Sequence, residues 1–314
     1  MMETNQGEIA LSIIIVNYNG KRFLADCLDS IARHIPCPHE VIMVDNASID
    51  ESCAFIREHY PAVRLIESPI NTGFTGGNNL GARSAKGPLL LLLNNDTKLL
   101  SDIVPAMNEF EDATLGVLGC RLFYGDGRQQ LSFGYDHTPL RLILSWLGLG
   151  ALKIAPTIFQ RNQIEHLAYE YPHPCVAWVS GAFLLTRKTL WNRLEGLDES
   201  YFMYVEDVDY CKRIRDMGYR VAYSPSVQVT HYEGAGKVWI GAKALSDTMN
   251  SYLIYTRKFY GPTVVGVLRM ALVAVMLSRA LIYALRSTIT SSSVVREKRQ
   301  GYMSASRQLL KSRN

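Results

Sequence analysis

Asn94, Asn95 and Asp96 form a polar triplet that ends the apolar run Gly87–Asp96, and such side chains can bind a ligand. The five leucines after Pro88 are too few for a membrane span and few even for a buried helix. They predict a strand buried on both faces, as in a parallel sheet covered by helices. Ligands of such sheets bind beyond the carboxyl ends of the strands, where this triplet lies. The alternative is a polar turn, which Asn and Asp also favour.

A second acidic group opens a predicted helix that ends at Gly218, the usual place for a terminating glycine. Its members are Glu206, Asp207 and Asp209. The ordinary role of carboxylates in a first helical turn is to complement the helix dipole. His231 follows a short predicted strand and is by default a structural histidine. Considered one at a time, these residues favour a structural interpretation.

The stretch Asn71–Asn79 is rich in glycine and could either approach a ligand or turn the chain. Gly73, Gly76 and Gly77 lack the GxGxxG spacing and follow the third predicted strand, and no GxxxxGK[ST] motif occurs. The pattern therefore argues against a dinucleotide site and a P-loop. Glycines that open a helix can bring the backbone close to a ligand, but by itself the stretch favours a turn.

The elements that must position these residues alternate between strand and helix. β-branched and leucine-rich runs predict strands at Ile9–Val16, Glu40–Val44, Val63–Ile66 and in the leucine run. Helices are predicted at Lys21–His34, from Ser48 to about His59, and after Asn79 as far as Lys86. The start at Ser48 rests on a capping box with Glu51. Four alternations predict an α/β fold with a doubly wound, Rossmann-like half.

The second half of the chain is less regular. Residues 124–174 show no sustained period, and we interpret them as a variable insertion near the substrate. The other elements predicted here are a helix at Ser101–Glu111 and strands at Leu115–Cys120, Val176–Thr186 (broken at Ser180-Gly181), Tyr219–Tyr223 and Val227–Thr230.

Composition narrows the class of protein. The chain has 314 residues, 48% of them hydrophobic and 20% charged, which is ordinary for a globular protein with an ample core. The six cysteines are scattered without metal-ligand spacing, and the first residues carry no secretory signal. We therefore expect a cytoplasmic protein with free thiols. Residues 286–314 carry a net charge of +6, and subtracting this from the total of +4 leaves −2 for residues 1–285.

Seven segments together resemble one family. The chain is similar to the inverting, GT-A-fold glycosyltransferases of family 2, and most of all to their bacterial rhamnosyltransferase-type members. The resemblance runs from about Leu11 to Tyr260. The segments that carry it are IIIVNYNG (13–20), VIMVDNASID (41–50), NTGFTGGNN (71–79), LLLNND (91–96), SGAFLLTR (180–187), FMYVEDVDYCKRIRDMGYR (202–220) and VTHYEGAG (229–236).

The resemblance implies roles for individual residues. Asp207 would be the general base on the acceptor hydroxyl, Asp96 would coordinate a divalent cation (Mg²⁺ or Mn²⁺), and His231 would be a further metal ligand. A cation is expected because a sugar nucleotide leaves as a diphosphate. At a helix N-terminus the base should stay ionised near neutral pH. The residues implied in binding the nucleotide sugar are Val16, Tyr18, Asp45, Asn71, Gly76, Asn94, Asn95 and Asp96.

Two positions depart from the family pattern. Asn94 replaces the first aspartate of the usual DxD motif, which removes one carboxylate and should weaken the affinity for the cation. Asn46 stands where many relatives have a second aspartate. Both variants are typical of the rhamnosyltransferase-like branch.

The resemblance implies a metal-dependent inverting glycosyltransferase with a fold of the GT-A class, built from a mixed central sheet and C-terminal helices. Its donor would be dTDP-rhamnose, or else a UDP-sugar, its acceptor a lipid-linked surface glycan, and nucleic acid would not be a partner. One alternative is an inactive relative that binds nucleotide sugar or glycan. Another is a sugar nucleotidyltransferase, which would need a Gly/Arg-rich loop after the first strand, where the chain has NYNG (17–20).

The predicted domains are a glycosyltransferase domain at 1–260 and a C-terminal region at 261–314. Residues 1–120 would bind the nucleotide sugar, and residues 121–260 would bind the acceptor. Thr263–Leu285 is apolar enough to resemble a span, but Arg269 and Arg279 disfavour one. We therefore predict an amphipathic helix and basic tail, peripheral on the inner face of the cell membrane and attracted to anionic lipid. The alternative is a helix packed on the catalytic domain, followed by a solvated basic tail. Arg269, Arg279 and Arg286 would share one side, with Leu268, Leu277, Leu281 and Leu285 outside that arc.

Overall fold

The computed structural model describes residues 8–148, 166–232, 241–290 and 292–311. The chain divides into two compact units. The first comprises Met1–Tyr135, Gln163–Phe202 and Glu206–Ala235, and the second Asp136–Asn162, Met203–Val205 and Gly236–Asn314. Part of the predicted insertion and the last residues of the VTHYEGAG segment lie outside the described residues. The domain boundary predicted after residue 260 remains a prediction.

A mixed sheet forms the centre of the first unit. In the described part of the chain it has nine strands, in the order β3-β2-β1-β4-β10-β6-β11-β5, with β7 paired to β6. Strands β1 to β4 are parallel, whereas β10 runs antiparallel to both β4 and β6. The strands of this sheet are β1 Leu11–Asn17, β2 His39–Asn46, β3 Arg64–Ser68, β4 Leu89–Asn94, β5 Thr97–Leu99, β6 Leu115–Phe123, β7 Gln129–Gln130, β10 Phe183–Arg187 and β11 Arg220–His231. Strands β8 Phe133–Gly134 and β9 Trp178–Val179 form a separate antiparallel pair.

Helices connect and cover these strands. They are α1 Lys21–His34, α2 Ser52–His59, α3 Gly73–Arg83, α4 Val104–Asn108, α5 Pro139–Trp146, α6 Lys188–Arg193, α7 Glu206–Asp216, α8 Ala242–Tyr260, α9 Pro262–Ile289 and α10 Ser293–Lys311. The predicted α/β fold with a mixed central sheet and C-terminal helices is confirmed, and the leucine run is the buried strand β4.

Close helix–sheet packing explains part of the small-residue sequence of α3. A side-chain carbon at Gly77 would lie 2.7 Å from Val16 Cγ1, and one at Gly81 would lie 2.6 Å from Ile14 Cγ2. Because any larger residue would push α3 off the sheet, both glycines are required for the helix to rest on β1. Beneath them, the five leucines of β4 fill the core.

Three predicted elements differ from the structure. Helix α2 begins at Ser52, since Glu51 has a left-handed backbone (φ 62°) and Ser48 makes no cap. The glycine stretch is helical from Gly73 onward rather than an extended turn. Residues 220–231 form one strand with an irregularity near Ser224 instead of two short strands. In each case contacts distant in sequence override the local signal.

The second unit contains α5, α8, α9 and α10. Helix α9 packs on the other three. Arg279 faces this bundle: its guanidinium donates to the Trp146 carbonyl (2.6 and 3.1 Å) and to the Tyr302 hydroxyl (3.3 Å). Leu268, predicted outside the arginine arc, is fully buried. That assignment was wrong, because Leu268 lies on the same side of the helix as Arg286.

Candidate active site

Asp45, at the end of β2, is buried and held from two sides. Its Oδ1 accepts a hydrogen bond from Asn17 Nδ2 (2.9 Å), and its Oδ2 accepts one from the Ser48 backbone amide (2.9 Å). Asn17 Oδ1 in turn accepts from Asn95 Nδ2 (2.7 Å). Asn17 therefore connects the carboxyl ends of β1, β2 and β4, and it brings Asp45 and the Asn94–Asp96 triplet to one edge of the sheet.

Asn46 fixes the start of α3. Its amide nitrogen donates to the Gly73 carbonyl (2.7 Å), and its oxygen accepts from the Thr72 hydroxyl (3.0 Å). Asn71 Oδ1 accepts from the Gly73 amide (2.9 Å). An aspartate at position 46 could not donate to a carbonyl, which gives the departure from the family pattern a structural reason.

Gly73 is the tightest point of this turn. It has φ +74°, and a side-chain carbon there would lie 2.1 Å from the Phe202 carbonyl oxygen. The next amide, of Phe74, donates to that same oxygen (3.0 Å). Only glycine fits, because both the backbone angle and the space exclude a side chain. The turn thereby holds Phe202, four residues before α7.

The two predicted metal ligands, Asp96 and His231, lie close together. His231 Nε2 is 3.3 Å from Asp96 Oδ1 and 3.1 Å from Asn94 Nδ2. His231 Nδ1 lies 3.0 Å from Gln130 Oε1. Since the amide oxygen can only accept, the Nδ1 nitrogen carries the proton in this pair, and Nε2 can accept a hydrogen bond from the Asn94 side-chain amide.

This pair fits a divalent cation. Two ligands that bind one ion at right angles are about 3 Å apart for Mg²⁺-like bond lengths. A carboxylate oxygen with one imidazole nitrogen suits Mn²⁺ and is acceptable to Mg²⁺. Within the described ranges, no group of three His, Cys, Asp or Glu residues could hold a metal. The remaining ligands of a cation here would thus be phosphate oxygens and water, as is usual for nucleotide sites.

Asp207, in the first turn of α7, is half-buried and accepts two backbone hydrogen bonds. The Gly181 amide donates to Oδ2 (2.9 Å), and the Val208 amide donates to Oδ1 (2.8 Å). Burial raises the pKa of the Asp207 carboxyl above its ordinary value, against the lowering effect of these two hydrogen bonds. From sequence we predicted a carboxylate that stays ionised near neutral pH because of the helix dipole, whose effect is to lower the pKa. Desolvation outweighs it, and a raised pKa makes a carboxylate a stronger base.

A continuous set of contacts joins the base to the predicted metal ligands. The Asn94 backbone amide donates to the carbonyl of Ala182 (3.1 Å), the residue after Gly181. A side-chain carbon at Gly181 would lie 3.1 Å from the Phe74 ring and 3.7 Å from Asp207 Cβ. The first turn of α3, the end of β4 and the start of α7 thus converge around residues 181–182.

The other two acidic residues of α7 have different environments. Asp209 is fully buried and pairs with Arg213 (2.6 Å), whose guanidinium also donates to the Leu194 and Gly196 carbonyls. That is a structural role. Glu206 is buried, and its Oε2 has no hydrogen-bond partner among the described residues.

Burial, followed by repulsion from Asp207, holds the pKa of the Glu206 carboxyl well above its ordinary range. The folded state therefore binds this proton more tightly than the unfolded chain. The stability that Glu206 contributes is present at low pH and is lost as the pH rises through the raised pKa. Glu206 therefore keeps its proton to a higher pH than an ordinary glutamic acid does.

Most predicted site residues meet at this edge of the sheet. Val16 is half-buried against Gly77, and Tyr18 is 53% exposed at the end of β1. A side-chain carbon at Gly76 would clash with Thr72, which gives that glycine a packing reason. The roles of these residues in donor binding remain predictions. The sequence analysis did not identify Asn17 and Gln130 as residues of the site. Asn17 lies in the first family segment (13–20), whereas Gln130 lies in the stretch 124–174, which has no regular hydrophobic period.

Comparison with known structures defines the class. The Pyrobaculum calidifontis mannosyltransferase PcManGT, solved with GDP-Man and Mn²⁺, matches 98% of this chain and 88% of its own with a TM-score of 0.56 at 16% identity. GalNAc-T7, solved with UDP, GalNAc and Mn²⁺, matches 81% of this chain and 48% of its own with a TM-score of 0.56 at 17% identity. The fold is that of the GT-A glycosyltransferases.

Sequence comparison gives the family. The profile of glycosyl transferase family 2 matches residues 12–175, and the chain belongs to this family. The N-acetylglucosaminyl-diphospho-decaprenol L-rhamnosyltransferase of Mycobacterium tuberculosis is 27% identical over 71% of this chain and 76% of its own length. The rhamnosyltransferase WbbL of Escherichia coli is 24% identical over 70% of this chain and 82% of its own.

Proposed function

We propose that this glycosyltransferase moves a sugar from a nucleotide donor to a lipid-linked cell-surface glycan with inversion at the anomeric carbon. The observation that supports it most is the set of contacts from Asp96 and His231 through Asn94 and Ala182 to Gly181 and Asp207. These contacts support the proposal because they connect the proposed base with the proposed pair of cation ligands, and a binding module without catalysis would not need both.

In the proposed reaction, Asp207 takes the proton of the acceptor hydroxyl as that oxygen bonds to the anomeric carbon. The bond from this carbon to the diphosphate breaks on the opposite face, and the nucleoside diphosphate leaves. One displacement of this kind inverts the configuration. Asp96 and His231 would hold a divalent cation, Mg²⁺ or Mn²⁺, which supplies the positive charge that the departing diphosphate requires. Asp45 would bind the nucleoside at the other end of the triplet.

The donor and acceptor are inferred from the relatives. Two of them are rhamnosyltransferases, and one of these acts on a lipid diphosphate according to its name. We propose dTDP-rhamnose as the first donor and a UDP-sugar as the second. A lipid-linked acceptor is made and held at a membrane, so we place the protein in the cytoplasm on the inner face of the cell membrane.

A donor screen tests this proposal. Full-length protein is incubated with dTDP-rhamnose and a panel of UDP- and GDP-sugars, with Mg²⁺, with Mn²⁺ and with EDTA, and release of the nucleoside diphosphate is measured. We expect hydrolysis of dTDP-rhamnose above that of the other donors and its loss in EDTA. Equal slow release from every donor, unaffected by EDTA, would contradict both the donor and the cation.

A further inference from the structure

Helix α9 has two sides of different character, and the side left exposed is apolar. The buried side includes Leu268, Leu272 and Met276, none with measurable exposure, and it packs on α5, α8 and α10. The exposed side forms one helical stripe, called here the apolar face. Its members are Val267, Met270, Ala274, Leu277, Leu281, Ile282 and Leu285.

The charges of α9 are not on this face. Arg269 is half-buried, and Arg279 binds the Trp146 carbonyl and the Tyr302 hydroxyl inside the second unit. In α9, which is described throughout, every exposed residue from Pro262 to Leu285 is uncharged. Leu281 and Leu285 are 62% and 61% exposed, so the bundle leaves these large side chains in solvent. A contiguous apolar surface of this kind marks a docking site.

Basic residues continue directly from this face. Arg286 is exposed one residue after Leu285 and lies over the ring of Tyr283. Helix α10 then presents a basic set to solvent, with Glu297 as its one acidic residue. The exposed basic residues of α10 are Arg296, Arg299, Arg307 and Lys311. The apolar face is therefore followed along the chain by exposed positive charge.

We propose that the apolar face lies in the interface of an anionic lipid bilayer, with Arg286 and the basic side of α10 at the level of the lipid head groups. An apolar helical face beside basic residues is the arrangement by which peripheral helices bind anionic membranes. A second copy of the chain is a poorer occupant, because pairing two apolar faces would bring two sets of basic residues together.

The helix lies on the bilayer and does not span it. By length and composition α9 could cross a membrane, with a mean hydropathy of 2.0 in its most apolar window. Its other side, however, is covered by three helices of its own unit and holds two arginines. This inference deepens the proposed function, since a lipid-linked acceptor is presented at such a surface, but it is independent of the donor and of the chemistry.

Vesicle flotation of the full-length chain tests the inference. The protein is mixed with vesicles of phosphatidylcholine alone or with added phosphatidylglycerol, at low and high salt. We expect flotation with the anionic vesicles at low salt and weaker binding at high salt. Failure of the wild type to float with anionic vesicles at low salt would overturn the proposal. Bound protein that resists carbonate extraction would also overturn it, in favour of a span.

Matched variants locate the surface. Leu277→Glu combined with Leu281→Glu should lower the bound fraction by about tenfold, because membrane affinity scales with the apolar area that is buried. Leu100→Glu, at an exposed leucine of the first unit, is the control and should bind as the wild type does. The melting temperature shows whether each variant folds, and Leu281→Asn replaces the double variant if it does not.

A concentration-dependent dimer in the absence of lipid, abolished by Leu281→Glu, would assign the apolar face to a second copy instead. Equal flotation of the folded double variant and the wild type would exclude this face from the contact. Donor hydrolysis without vesicles should be the same in all folded variants, which separates this test from that of the reaction.

Discussion

Asp207→Asn is expected to lower kcat by roughly 10²–10⁴-fold, the usual contribution of a general base, while the affinity for the nucleoside diphosphate is retained. The amide can still accept one of the two backbone hydrogen bonds from Gly181 and Val208, so the start of α7 should keep its place. It cannot take a proton from the acceptor hydroxyl. Steady-state transfer rates and calorimetric nucleotide binding measure the two properties separately.

Glu206→Gln is the matched control for this variant. Burial raises the pKa of the Glu206 carboxyl well above its ordinary range, which favours the uncharged form that the amide imitates. We expect kcat within a few-fold of the wild type and a melting temperature that is equal or higher at alkaline pH. Transfer by Asp207→Asn at the wild-type rate would rule out the base. An equal loss in both variants would mean that the helix start was disturbed.

Asp96→Ala is expected to abolish the cation-dependent part of nucleotide diphosphate binding, a loss on the order of 10–100-fold or more. Asp96 supplies the one carboxylate of the triplet, and His231 lies 3.3 Å from it. Titration of the diphosphate by calorimetry, with Mn²⁺ and with EDTA, measures this part directly. In EDTA the variant and the wild type should bind alike.

Asn94→Ala is the comparison variant for the cation site and should lose less affinity than Asp96→Ala. Its amide lies 3.1 Å from His231 Nε2, but it contributes no charge. Gln130→Leu should weaken cation binding as well, since Gln130 orients the histidine ring. Equal affinity of the wild type with Mn²⁺ and with EDTA would show that the donor binds without a cation.

The parallel half of the fold could be predicted because its signals are local and strong. Three patterns each predict one strand or helix from neighbouring residues alone: the leucine run, the β-branched first strand and the apolar spacing of α1. Their alternation then determines the sheet, and the sheet puts Asp45 and Asn94–Asp96 at one edge. The family resemblance added the pairing of Asp96 with His231, 135 positions later in the chain, which the structure confirms as a contact.

Other features depend on distances that a sequence does not carry. Asn17 looks like a turn residue until the fold places it between Asp45 and Asn95. Ser48 resembles a helix cap but its hydroxyl accepts from Asn17 instead. The direction of the Asp207 pKa required knowledge of burial, because the helix dipole alone predicts a lower value.

Helix α9 shows the same limit. Helical spacing predicted that Arg269, Arg279 and Arg286 share one side, but it could not show that the bundle covers Arg279 and leaves Arg286 exposed. The Arg279 guanidinium donates to the carbonyl of Trp146, far earlier in the chain, and to the hydroxyl of Tyr302. These bonds hold Arg279 inside the bundle. Leu277, Leu281 and Leu285 are exposed, whereas Leu268 is buried.

The central claim is that the site formed by Asp207, Asp96 and His231 transfers sugar with inversion. Incubation of the full-length protein with dTDP-rhamnose, Mn²⁺ and a short-chain N-acetylglucosaminyl-diphospho-lipid, followed by mass spectrometry and proton NMR of the product, tests it most directly. We expect a product heavier by one rhamnosyl residue, with the anomeric configuration opposite to that of the donor. A product that retains the donor configuration would contradict it, as would failure of transfer from every nucleotide sugar by protein that binds the nucleotide.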